Sequence, residues 1–139
     1  MSFVVDVDVA IEALLRVAIP DLPVGERGVS REATAPGELT AEQLPHASFG
    51  NYPLREVPLR FGQRRVTLTV AVQVVRQGAT HAAAIADFDA ITAALRADPT
   101  MGGAVEKYGV TMTGLTEPKD VKPTRSLLQL DIDCVKVLS

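Results

Sequence analysis

The chain holds few residues from which a reaction centre could be assembled. Its two histidines, His46 and His81, are the side chains that would serve as a general base near neutral pH without a large perturbation. His46 stands beside Pro45 in an irregular stretch, and His81 opens a helical one. Neither neighbours a serine of the strained strand-to-helix G-x-S-x-G kind that acyl transfer uses. A metal centre needs His, Cys, Asp or Glu at ligand spacing, yet the histidines lie far apart. The lone cysteine, Cys134, falls in the apolar phase of an alternating run, where a small buried residue is expected. Asp131 and Asp133 share the other phase of that run. Carboxylates at i and i+2 could hold a hard cation such as calcium, though a solvated strand face accounts for them more simply. Gly102-Gly103 follows a helix rather than a strand and lacks both G-x-G-x-x-G and a P-loop lysine. No catalytic, metal or cofactor site is expected, and the chain reads as one that assembles rather than catalyses.

Composition narrows the classes further. At 139 residues the length is that of one domain, 1–139, able to bury roughly two-thirds of the surface its unfolded form exposes. No apolar run approaches the ~18 residues of a membrane span, so a soluble protein without a membrane partner is expected. The start, MSFVVDVDVAIEALL, carries Asp6, Asp8 and Glu12 and lacks the basic n-region of a signal peptide, so nothing points to export. Fourteen basic against seventeen acidic residues give a net charge of −3, with the basic ones scattered apart from Arg64-Arg65. A nucleic-acid surface needs a clustered positive stripe, and with 4% aromatic residues stacking platforms are scarce too.

The elements that would position any site follow from periodicity. Val5, Val9, Ile11 (or Glu12), Leu15 and Ile19 keep an approximate helical stripe, with Asp6 or Asp8 to cap it and Pro20 to stop it, which predicts a helix over Asp8 to Ile19. Residues 20–45 hold four prolines and three glycines without a sustained period, and a long loop is expected. A loop of that length is either a surface excursion or an arm that orders against a partner. SFGNYP and LREVPLRF read as short strands, kept to edges or bulges by Pro53 and Pro58. From Arg64 to Val75, Val66, Leu68, Val70, Val72 and Val74 occupy one phase, and Arg65, Thr67, Thr69, Ala71 and Gln73 the other. That strand would run roughly 40 Å and outlast its own core. Thr80 then caps a helix with Ala84, Phe88, Ile91 and Leu95 inward, Asp87, Asp89 and Arg96 off the stripe, and Asp98-Pro99 at its end. Strands over Val110–Leu115 and Ser126–Leu138 flank a solvent loop at 117–125. The order α-β-β-β-α-β-β predicts an α+β fold: a mostly antiparallel sheet of four to five strands with two main helices on one face.

The stretch Ala94-Leu95-Arg96-Ala97-Asp98-Pro99-Thr100-Met101-Gly102-Gly103-Ala104-Val105 follows a strand and helix and precedes a short strand, a loop and a long final strand. In this it resembles the tail terminator (tail completion) proteins of long-tailed bacteriophages, the family of the minor tail protein U of phage lambda. The likeness covers roughly Val66 to Leu138, and the first helix loosely. Physically the motif Asp98, Pro99, Thr100, Met101, Gly102, Gly103 is helix-stop chemistry: the residue before proline leaves the α region, and two glycines permit a tight reversal or a close backbone approach.

The resemblance implies a virion protein at the tail-neck junction, assembled in the host cytoplasm. It implies a hexameric ring on the last ring of the tail tube that stops polymerisation and offers its other face to the head–tail connector. Partners would be further copies of the chain, the major tail tube protein and neck proteins, with no substrate. A ring of identical subunits needs two different complementary patches on each. One candidate is the over-long strand, where Val66, Leu68 and Val70, flanked by Arg60, Arg64 and Arg65, would extend past the helix cover. Arg64 or Arg65 would then pair with acidic residues of the adjoining subunit; a solvated hairpin tip is the alternative. Another neck or head–tail joining protein, a dimeric α+β ligand-binding module and a small enzyme built on the same sheet are the competing classes.

Overall fold

The structure is a computed structural model that describes residues 2–31, 38–50, 52–78, 81–116 and 125–139. Helix α1 spans Phe3–Ala18, starting five residues before the predicted Asp8. Ser2 caps it, its Oγ accepting from the amide of Val5 at 3.2 Å, so Asp6 lies inside the first turn, where a negative charge suits the helix dipole. The alternating Val-Asp-Val-Asp run disguises this first turn as strand. Helix α2 spans His81–Ala97; the expected cap Thr80 lies outside the described residues.

The strands are β1 (Val29–Ser30), β2 (His46–Gly50), β3 (Leu54–Pro58), β4 (Arg64–Gln77), β5 (Lys107–Thr116) and β6 (Arg125–Leu138). They form one six-stranded sheet in the order β1-β2-β4-β6-β5, with β3 also on β4. All pairs are antiparallel except β1 with β2. The fold is thus α+β with a mostly antiparallel sheet, as expected, and has one strand more than the expected four to five. The extra strand is β1, which two residues inside a proline-rich stretch could not announce.

Strand β4 is the spine. It pairs with β6 along its full length, from Arg64 opposite Leu138 to Gln77 opposite Arg125. Its other edge takes β3 against Arg64–Leu68 and β2 against Ala71–Val75. Val66, Leu68, Val70, Val72 and Val74 are all buried, together with Leu128, Leu130, Ile132 and Cys134 of the same phase in β6. Val7, Ile11 and Leu15 of α1 and Ala84, Ile91 and Leu95 of α2 join the same core cluster. Each large side chain so buried contributes about 1.5–3 kcal/mol by area. The opposite sheet face, with Thr67, Thr69 and Gln73 opposite Val135, Asp133 and Gln129, is half-exposed and largely polar.

The segment 20–45 is more ordered than a loop. Among its described residues it makes 3-10 turns at Gly25–Arg27 and Ala41–Gln43 as well as β1. Leu22, Val29 and Leu39 are buried, so the segment is tied down by side chains that no periodicity marks. Residues 32–37, and 117–124 of the predicted solvent loop, lie outside the described residues.

Candidate functional site

Helix α1 is apolar on two sides. Val7, Ile11, Leu14 and Leu15 face the core. Val5, Val9, Ala13 and Val17, four residues apart, form a second strip that the chain leaves open, with Val9 54% and Val17 74% exposed. The sequence reading placed Val5 and Val9 inward. A helix so rich in valine admits two stripes, and spacing alone does not choose between them.

This open strip borders a groove. One hollow of about 240 Å³ lies between Ala10, Ala13, Leu14 and Val17 of α1 and Ala94, Asp98, Met101 and Gly102 at the end of α2. A second adjoins it around Asp6, Val9, Met101 and Gly103. The far wall of the groove is therefore the Asp98–Gly103 motif. The Asp98 carbonyl accepts from Met101 N at 3.0 Å, and Thr100 O accepts from Gly103 N and Val105 N at 3.0 and 3.1 Å. Gly102 and Gly103 have φ of 68° and 91°, and a Cβ on either would meet nothing within 4 Å. Of the two roles their sequence allows, the glycines serve the reversal, not a close approach. Met101 is buried beneath them, and Asp98, Pro99 and Thr100 are exposed.

A second exposed apolar feature is the β3–β4 hairpin, and chiefly its tip. Leu54, opposite Leu68, is half-exposed on the helix side of the sheet, Val57, opposite Arg65, is half-exposed on the other side, and Phe61 at the tip is 97% exposed. The tip is the turn Arg60-Phe61-Gly62-Gln63, closed by Gln63 N donating to Arg60 O at 3.2 Å. Phe61 and Gly62 have φ of 61° and 72°, the two-residue pattern of a type I′ turn. Asn or Gly normally fills the first of those places; a phenylalanine there is strained by roughly 1–2 kcal/mol.

The residues singled out from sequence separate into two groups. Arg60 is exposed at the tip and Arg65 on the open sheet face. Arg64 is held by Glu56 of its own hairpin, Nε to Oε1 at 3.1 Å. Val66, Leu68 and Val70 do not extend past the helix cover: all three are buried. Phe3 and Val4 of α1 pack against the core and, with Val66, line the edge of a hollow at that end of the sheet. The early start of α1 thus covers the strand expected to be bare, and β4 has neighbours along both edges.

Chemistry-bearing groups come together in places that sequence spacing hides. His46 Nδ1 lies 2.7 Å from the carbonyl oxygen of Arg27, which only accepts, so Nδ1 donates to it. Nε2 and Ser30 Oγ are hydrogen-bonded at 3.0 Å. This is a serine–histidine pair, but the ring's orienting partner is a carbonyl rather than a carboxylate and His46 is buried; the pair fastens β1 and the turn before it to β2. Asp87, expected off the core stripe, is buried because it takes Arg76 of β4. Arg76 also donates twice to Asp21, at 2.7 and 3.1 Å, and this bonding holds the Asp21 carboxyl below its ordinary range. Tyr52 donates to Asp8 Oδ1 at 2.7 Å, and burial, then that carboxylate, push its phenol above the usual value. Asp133 accepts from Thr69 Oγ1 at 2.6 Å. Among the described residues no group of three or more His, Cys, Asp or Glu could hold a metal ion, and no helix is long and apolar enough to cross a membrane.

No family model matches the chain, and no curated protein does. Among solved structures it is similar to a chain of the "Virion of native gene transfer agent (GTA) particle", with a TM-score of 0.43 and 14% identity over 93% of this chain and 90% of that one.

Proposed function

We propose that this chain is a structural virion protein of the tail-terminator kind. It closes into a hexameric ring on the end of a phage tail tube at the tail-neck junction, ends polymerisation, and offers its opposite face to the head–tail connector. The 139 residues act as one unit, and the role involves no reaction or cofactor.

The observation that carries this reading is the pair of separate exposed apolar features, the open strip on α1 beside the Asp98–Gly103 motif and the Phe61 tip of the β3–β4 hairpin. A dimer with a two-fold axis needs one self-complementary patch, whereas a closed ring needs two unlike ones. The resemblance of the motif to tail terminators supports the tail as the place of assembly. Light scattering and electron microscopy of the purified chain, with and without tail tubes, test it. Rings that bind tube ends and halt growth are expected; a compact dimer, or a monomer that ignores tubes, overturns the reading.

A further inference from the structure

We propose that the hairpin tip of one copy seats in the α1–α2 groove of the next, with Phe61 entering the hollow beside Met101 and Gly102. This rests on the ring reading and names its contact.

Three independent features of the chain fit together. The first is shape. Phe61 is a nearly naked phenyl ring held outward by a turn that disfavours it, and strain at an exposed tip is kept where the side chain has a use. The hollow of about 240 Å³ is apolar on most sides, and a buried cavity of about 150 Å³ already admits benzene.

The second is charge. Arg60 and Arg65 flank the tip and make no ion pair among the described residues; Asp6 and Asp98 stand at the groove and make none either. Bringing the two surfaces together sets positive against negative around an apolar centre, the arrangement that fixes register in an interface.

The third is direction. The hairpin lies on the β3 edge of β4, and the motif turn hangs over the other side, where Lys136 of β6 donates to Gly103 O at 3.3 Å. A copy beside this one can fill the groove, and its own groove is left for the next. Such a contact is head-to-tail, and it ends in a ring where the rotation from copy to copy closes on itself.

Two variants test the contact. Phe61→Asn suits the turn, so the isolated protomer should melt no lower than the parent. Its ring dissociation constant should rise about tenfold or more, as for loss of a buried aromatic anchor. A chain carrying both Gln63→Cys, exposed in the same turn as Phe61, and Val17→Cys, treated with a short bismaleimide, should give a ladder ending at the closed ring, and neither single variant should cross-link. The native Cys134 is buried, and burial pushes its thiol up to about 12, so it stays silent. If the parent forms rings but the double variant gives no ladder, or Phe61→Asn assembles as well as the parent, the contact is wrong and the ring stands. If Gln63→Cys alone gives covalent dimers, or the parent never forms rings even on tubes, the contact and the ring reading both fall.

Discussion

The guanidinium of Arg76 grips the carboxylate of Asp87 at both oxygens, Nε to Oδ2 at 2.5 Å and Nη2 to Oδ1 at 2.8 Å. This fork joins the end of β4 to the first half of α2, and through Asp21 it also reaches the chain just beyond α1. Asp87 is 8% exposed at its side chain, so stripping it of its partner leaves an uncompensated buried charge. Arg76→Met is expected to destabilise by about 3 kcal/mol. Asp87→Leu leaves Arg76 with Asp21 and should cost less, about 1–2 kcal/mol. The double variant should fall well short of the sum, and urea denaturation of all four proteins measures the coupling.

Acid should reveal Asp21. Arg76 holds its carboxyl below the ordinary value, so the folded chain gives up that proton at lower pH than the unfolded chain. The resulting stability is complete above about pH 4 and is lost as pH falls through the lower folded value. Asp21 is more than half exposed, and screening keeps the effect small. Melting temperature against pH should therefore fall slightly more steeply below pH ~4 in the parent than in Asp21→Asn. Parallel curves would contradict this.

Gly28 should not tolerate a side chain. A Cβ there would stand 1.9 Å from the carbonyl oxygen of Pro23, which is backbone and cannot swing away. Gly28→Ala is expected to destabilise by about 1–3 kcal/mol through forced backbone shifts. Because Gly28 O accepts from Ala47 N at 2.8 Å, hydrogen exchange at Ala47 should rise with it. An unchanged melting temperature would show that the segment before β1 is not held as described.

Much of the sheet was legible because β4 and β6 alternate cleanly over many residues, and a period of two survives any choice of neighbour. The inward stripe of α2 was legible for the same reason at a period of 3.6. What stayed hidden depends on contacts distant in sequence. Asp87 looks like a solvent residue until the register of β4 brings Arg76 to it. Ser30 and His46 meet only because a two-residue strand pairs with β2. The open strip of α1 was missed because Val5 and Val9 fit an inward phase as well as an outward one, and only packing decides between them. Phe61 could have been noticed: a phenylalanine directly before glycine, between two strand patterns, stands where turn chemistry prefers asparagine.

The place of β6 between β4 and β5 bears on how the chain is made. During synthesis β4 emerges long before the strand that must lie beside it, and β5 waits with no neighbour at all until Arg125–Leu138 has left the ribosome. Until then the valine face of β4 can be roofed by α1 and α2 but its backbone on that side has no mate, a state prone to sticking to other nascent chains. The sheet is thus completed only once β6 has been made, at a pace set by joining distant segments.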